Sequence, residues 1–266
     1  MKADFHIHST FSDGSFEIDD IVRLSKEKML DAIAITDHDT IAHFDKMPKS
    51  GDLTIIPAVE ISAIHRETKT EAHVLGYRLE KPSIISELTM PLLERRNRNS
   101  ERQVDVLTKN GYSIELSKLA RAEGKYLYKV HIVDWLVQTG QVPELFGGFY
   151  ASTFKNGGIC DFSIEYIDVF DAVKAIKEAG GLAVLAHPGQ QANFWLIPAL
   201  FEQGLDGVEL NHPVHSENDF AAVRELSGRF NLFMTGGSDF HGKFTSRQDS
   251  VGDFLSDESG MAALLN

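Results

Sequence analysis

Apolar runs of four to six residues, punctuated by polar turns, dominate the first part of the chain. Residues 3–8 alternate apolar and polar positions, as a strand does. Ser12-Asp13-Gly14-Ser15 then reads as a turn, and Ile18, Ile21, Val22 and Ser25 recur at helical spacing. Further strands are predicted over 31–36, over 54–59 with Glu60 at its end, and over 71–77. A strand–helix–strand start predicts a parallel sheet.

The pattern changes after Leu79. Pro82 and Pro91 frame a polar segment, and a charged helix is predicted over 92–110, ending at Gly111. Two more helical stretches follow near 117–123 and 130–139, and glycine pairs at Gly147-Gly148 and Gly157-Gly158 close the section. Residues 80–160 therefore read as a helical insertion covering one end of the sheet, with 1–79 and 161–266 forming the main domain. The alternation of helix and strand then returns. A helix through Val169, Val173 and Ile176 stops at Gly180-Gly181, a good C-terminal signal. Strands are predicted over 182–186, 207–210 and 232–235, helices near 194–203 and 217–226, and a last helix near 261–265.

Chemistry collects at the ends of these runs. His6, His8, Asp13, His38, Glu60, His73, His187, Asp239 and His241 lie in or just after predicted strands. Strand side chains alternate with period two, so His6 and His8 share a face, and Asp239 and His241 repeat that spacing at the last strand. Any one of them alone is an ordinary polar strand end, but nine at successive sheet ends predict a multinuclear metal site of the kind barrel and doubly wound enzymes carry there. Nine nitrogen and oxygen ligands exceed what one zinc takes and suit two or three divalent ions of manganese, iron or zinc.

The formal charge of −13 argues against a protein that grips long duplex nucleic acid through a basic surface. It leaves a phosphorylated substrate open, because three divalent ions would outweigh Asp13, Glu60 and Asp239 and make the pocket electropositive. Cys160 is the single cysteine, so neither an intrachain disulfide nor a cysteine zinc site is expected. The N-terminus shows no apolar leader and no run approaches ~20 apolar residues, so a cytoplasmic protein without a membrane span is expected.

Six motifs occur in order: His6-Ile7-His8-Ser9 with Ser12-Asp13-Gly14; Ile35-Thr36-Asp37-His38-Asp39-Thr40; Pro57-Ala58-Val59-Glu60-Ile61-Ser62; His73-Val74-Leu75-Gly76-Tyr77; Leu185-Ala186-His187-Pro188 after Ala179-Gly180-Gly181; and Gly236-Gly237-Ser238-Asp239-Phe240-His241-Gly242. Together they resemble the PHP (polymerase and histidinol phosphatase) family, and within it the stand-alone metal-dependent phosphoesterases that include 3′,5′-nucleoside bisphosphate phosphatases. The resemblance spans nearly the whole chain and implies an α/β fold, a distorted (β/α)7 barrel with a helical insertion. It implies that His6, His8, Glu60 and Asp239 hold a first ion, that Glu60 bridges to a second held with His73 and His187, and that Asp13, His38 and His241 hold a third. Thr36 and Asp37 would orient ligands.

The expected reaction is attack of a metal-bound hydroxide on the phosphorus of a small phosphorylated metabolite, with a nucleotide 3′-phosphate or 3′,5′-bisphosphate as the leading substrate. Cyclic-nucleotide or short-oligonucleotide phosphodiesterase, histidinol-phosphate-type monoesterase and a non-catalytic metal-stabilised domain are the alternatives. Asp239, His212 and His215 are candidate proton donors, and the two histidines are also candidates for gripping phosphate. Lys129-Val130-His131 resembles the family's Arg-Pro-His phosphate-binding segment, with lysine and valine replacing arginine and proline. Arg95, Arg98 and Arg102 share one helical face, which suits either a solvated surface or a clamp for a second phosphate.

Overall fold

The computed structural model describes every residue except Ser50 and Ala120. In chain order the elements are β1 (Ala3–Ile7), α1 (Ile18–Glu27), β2 (Ala32–Ile35), β3 (Thr54–His65), β4 (Thr70–Tyr77), α2 (Pro82–Lys109), α3 (Leu116–Leu119), α4 (Lys129–Gln138), α5 (Gly148–Phe154), β5 (Ile167–Asp168), α6 (Val169–Glu178), β6 (Leu182–Leu185), α7 (Pro188–Gln191), α8 (Ile197–Phe201), β7 (Gly207–Asn211), α9 (Glu217–Phe230), β8 (Phe233–Gly236) and α10 (Glu258–Leu265).

The strands form one mixed sheet in the order β1-β2-β3-β4-β6-β7-β8, with β5 paired to β3. A backbone bridge between Ile7 and Phe240, and the His8 N–H donating to the Phe240 carbonyl at 2.9 Å, bring the two edges together into a nearly closed barrel. Every residue of β1 and β2 is buried, as expected of parallel strands covered on both faces.

One strand departs from the parallel expectation. β4 runs antiparallel to both β3 and β6. β3 continues to His65 rather than stopping at Glu60, and a four-residue turn leads straight into β4. A connection that short makes a hairpin, whereas a parallel crossover needs a dozen or more residues. His73 consequently lies in the first half of its strand and still reaches the barrel end where the other strands finish.

Period-two alternation sorts each strand's residues between barrel interior and outer layer. On β3 the inner row runs Ile56, Ala58, Glu60; on β4 it runs Tyr77, Leu75, His73. The lower members pack with Ala32, Ala34, Val184 and Ala186, and Leu264 of α10 joins them. The barrel is thus apolar at one end and carries its ligand-type side chains at the other. The buried Tyr77 hydroxyl donates to the Phe5 carbonyl at 2.8 Å. Tyr77→Phe leaves that buried carbonyl without this donor and is expected to cost about 1–2 kcal/mol, a melting temperature roughly 3–6 °C lower by calorimetry.

The helical section differs in two ways from its sequence reading. α2 is a single 28-residue helix that begins at Pro82 and runs through Pro91. Pro82 fits the first turn, where its missing N–H is no loss, and the exposed Pro91 leaves the carbonyl one turn back to solvent. α2 also belongs to two cores. Ile85 and Leu92 pack with the barrel's outer layer, while Val104 and Leu107 join Ile132, Leu136 and Phe154 in a separate cluster built from α2–α5. No helix of the described residues is long and apolar enough to cross a membrane.

Candidate metal centre

All nine ligand-type side chains converge at the polar end of the barrel. Glu60 stands at the middle. Its Oε1 lies 2.8 Å from His73 Nδ1 and 2.9 Å from His187 Nε2, and its Oε2 lies 3.2 Å from His6 Nε2, 3.1 Å from His8 Nε2 and 3.3 Å from His38 Nδ1. Asp239 Oδ1 faces His6 and His8 at 3.6 and 3.4 Å. Asp13 lies 3.3 Å from His241 Nε2 and 3.9 Å from His38 Nε2.

Backbone conformation aims several of these groups. Gly14 follows Asp13 because a Cβ there would sit 2.4 Å from the His8 carbonyl oxygen, so only glycine lets the turn fold back against β1. Gly237 likewise lies against His6, where a Cβ would come within 2.4 Å of the His6 nitrogen. His187 and Asp239 adopt positive φ of 26° and 48°, a strained backbone that places both side chains in the cluster. Asp37 accepts from the Ser9 and Ser12 amides and hydroxyls and so shapes the turn carrying Asp13.

The cluster fits divalent cations. His6 Nε2, His8 Nε2 and Glu60 Oε2 are buried without a hydrogen-bond partner and face one another, and Asp13 Oδ1, likewise unpartnered, faces His241 Nε2. Unpartnered buried donors and acceptors are costly, and a cation between them satisfies all at once. Four overlapping groups lie within ligand distance: His6, His8 and Glu60; His38, Glu60 and His73; His8, Asp13, His38 and His241; and His6, His187, Glu209 and His212.

Electrostatics points the same way. Burial alone would lower the histidine pKa values, but Glu209 and Glu60 raise His6 well above its usual range, and Asp239, Glu60 and Asp13 raise His8 to about 10. Against burial, the surrounding histidines hold Glu60 and Asp239 well below the ordinary carboxylate range. Burial, reinforced by His8 and His73, pushes His38 down to about 3. Without metal, protons on His6 and His8 stand in for cations at neutral pH. Metal uptake must displace them, so affinity falls as pH falls. Zinc titration at pH 7 in weak buffer is expected to release about two protons per protein. Uptake without proton release would show that His6 and His8 carry no extra proton in the metal-free protein at pH 7.

The remaining sequence candidates divide. His212 joins the cluster: its Nε2 lies 3.4 Å from Asp239 Oδ2, and burial lowers its pKa. His215 does not. Its Nδ1–H donates to the Leu210 carbonyl at 2.7 Å and its Nε2 accepts from the Gly189 amide at 3.2 Å, so both ring nitrogens are engaged by backbone. Lys129 lines a cavity of about 150 Å³ beside Asp13, with Arg96, Tyr128, Tyr150 and Tyr166. Its pKa is lowered by burial and by Arg96 and Lys155. His131 turns into a neighbouring cleft with Arg121, Asp134 and Phe244, and its Nδ1 accepts from the Tyr128 amide. Arg98 and Arg102 lie on the exposed side of α2, where Arg98 pairs with Glu94 and Arg102 stacks over Phe162.

Three residues absent from the sequence reading stand in the site. Arg96 donates to Asp39 Oδ2 at 2.8 Å, Arg247 donates to Asp239 Oδ2 at 3.0 Å, and Glu209 contacts His6 Nδ1 at 2.9 Å. The signal for Glu209 was a lone carboxylate inside the apolar strand Gly207–Asn211, a position that requires a partner.

A nearly closed α/β barrel with a histidine–carboxylate cluster at one end defines a metal-dependent hydrolase. Residues 4–179 match the PHP domain, and the chain belongs to the PHP family, as a metal-dependent phosphoesterase. It is 39% identical over 251 residues to the phosphoribosyl 1,2-cyclic phosphate 1,2-diphosphodiesterase of Eggerthella lenta, covering 92% of this chain and 95% of that protein. It is 26% identical over 257 residues to the 3′,5′-nucleoside bisphosphate phosphatase of Chromobacterium violaceum, covering 90% and 86%. A crystal structure from Bifidobacterium adolescentis, described as that of a metal-dependent phosphoesterase, superposes with a TM-score of 0.88 at 25% identity, covering 99% of this chain and 95% of that one.

Proposed function

We propose that this enzyme opens a cyclic phosphodiester on a phosphorylated ribose, with phosphoribosyl 1,2-cyclic phosphate as the substrate. The observation that carries the reading is the 39% identity, nearly end to end, to the Eggerthella lenta enzyme of that name. It displaces the nucleoside bisphosphate as the leading substrate, since the relative with that activity is 26% identical.

The cavity beside Asp13 supports the same choice. At about 150 Å³ it falls below the ~300–1,000 Å³ of sites that enclose drug-sized ligands. It has room for the part of a substrate that extends from the cluster past Asp13. Arg96 and Lys129 bring positive charge to it, and the carbonyl oxygen of the buried Gln103 side chain, which has no partner, offers an acceptor for a sugar hydroxyl.

The histidines and carboxylates of the cluster would hold divalent cations, whose chemistry would be to lower the pKa of water from about 15.7 towards ~7 and to neutralise phosphate oxygens as charge shifts. The protein's own groups do the rest. Glu60 and Asp239 hold negative charge at the cluster, which keeps the histidine nitrogens directed inward. His212 accepts the Val214 amide at Nδ1, so its proton sits on Nε2. From there it can donate a hydrogen bond to the oxygen that leaves phosphorus when the ring opens, while water supplies the proton that oxygen gains.

The test is turnover by manganese-loaded protein of phosphoribosyl 1,2-cyclic phosphate beside adenosine 3′,5′-bisphosphate, histidinol phosphate and a cyclic nucleotide. The cyclic sugar phosphate is expected to be hydrolysed fastest, with label from heavy-oxygen water entering the phosphate. Faster turnover of the bisphosphate would restore the nucleotidase reading, and no turnover of the cyclic sugar phosphate would end the present one.

A further inference from the structure

We infer that Glu209 is a positioning residue that sets His6 and His187 together, one through its ring and the other through its backbone. The inference rests on the reading of the cluster as a metal site and extends it to a carboxylate that is not itself one of the nine ligands.

Glu209 sits on β7 between Val208 and Leu210, both of which pack into the barrel's outer layer, so alternation turns its side chain inward. It is completely buried. Its Oε1 lies 2.9 Å from His6 Nδ1, and its Oε2 accepts the His187 amide at 2.8 Å. Both oxygens are therefore used. The bond at Oε1 keeps one proton of His6 on Nδ1, so the proton given up on metal uptake is the one on Nε2, which faces Glu60 and Asp239. The bond at Oε2 holds the backbone of His187 at φ 26°, a conformation that L residues rarely adopt. The His187 ring is oriented in the same sense, because its Nδ1 faces Gln191 Oε1 at 3.2 Å and its Nε2 faces Glu60 Oε1 at 2.9 Å. His6 faces one oxygen of Glu60 and His187 the other. One carboxylate thus ties together ligands on the two sides of the bridging Glu60.

Glu209→Gln tests this, because glutamine keeps the shape but has one acceptor for two N–H donors. The expected result is a roughly 10–100-fold loss of zinc affinity, read by competition with a chromophoric chelator. In zinc-loaded protein, NMR should show slow exchange of both the His6 Nδ1 proton and the His187 amide proton, and the variant should lose protection of at least one. A role in packing alone would move neither reading. Wild-type zinc affinity with both protons still protected would overturn the inference and leave the metal site standing. Wild-type protein that takes up no zinc would overturn both. Should the variant fail to fold, the wild-type spectrum decides: a rapidly exchanging His6 ring proton in the zinc-loaded protein overturns the inference without any substitution.

Discussion

Glu60→Gln is expected to lower turnover of any phosphate ester by roughly a thousandfold, about 4 kcal/mol of transition-state stabilisation. The reason lies in the geometry of one side chain. Its two oxygens face different histidines, His73 and His187 on one side and His6, His8 and His38 on the other. Glutamine keeps one oxygen and replaces the other with an amide that has no lone pair for a cation. It also removes the negative charge that holds protons or cations at the surrounding rings. Loss is therefore expected in metal content as well as in rate, measured by elemental analysis of dialysed protein and by steady-state assay with added manganese. A variant that keeps its full complement of metal and turns over within tenfold of wild type would show that Glu60 is not a bridge. His73→Ala is the milder comparison, because His73 faces Glu60 from one side only.

Most of this centre was legible in the sequence, for a definite reason. Ligands at strand ends follow hydrophobic runs, and runs are what periodicity detects best. The His6/His8 and Asp239/His241 pairs announce themselves by period two. What periodicity does not show is strand direction. β4 reads like its neighbours, and only the four-residue turn before it reveals a hairpin. The arginines of α2 show a second limit. Arg95, Arg98 and Arg102 do share a face, but the buried stripe of that helix runs through Leu92, Leu93, Ser100 and Gln103. Arg96 follows Leu92 by four and precedes Ser100 by four, so it belongs to the stripe. Arg98 and Arg102 fall on the solvent side. The residue spacing was read correctly, but its phase depended on packing partners that lie elsewhere in the chain. Glu209 was missed for a related cause: a single charge in a strand says that a partner exists without saying which.

Arg96→Ala is expected to cost about 3–5 kcal/mol of stability, the usual consequence of leaving one member of a buried ion pair alone. Asp39 has no exposed surface and Arg96 retains only 15%. Nη2 donates to Asp39 Oδ2 at 2.8 Å and to Ser62 Oγ at 3.2 Å, and the guanidinium lies 4.9 Å from the Tyr128 ring centre. Asp39 in turn accepts the Ser62 amide at 2.7 Å and holds the loop after β2 against β3, beside His38. Burial raises the Asp39 pKa even with Arg96 in place, and loss of the cation raises it further. A carboxyl whose folded pKa lies above its unfolded value destabilises the fold once it ionises, and that penalty disappears as pH falls through the folded value. The deficit of the variant should therefore be largest at pH 7 and shrink at pH 5, as measured by urea denaturation at both. Adding Asp39→Asn to the variant should recover part of the loss by removing the stranded charge. A deficit below about 1 kcal/mol at pH 7, or one that does not change with pH, would place Asp39 in water and make Arg96 a surface contact. Because Arg96 also lines the cavity beside Lys129, Arg96→Lys separates its two roles. Lysine keeps the charge near Asp39 and should restore most of the stability, but it lacks the planar fork that grips a phosphate from two sides, so KM should remain raised.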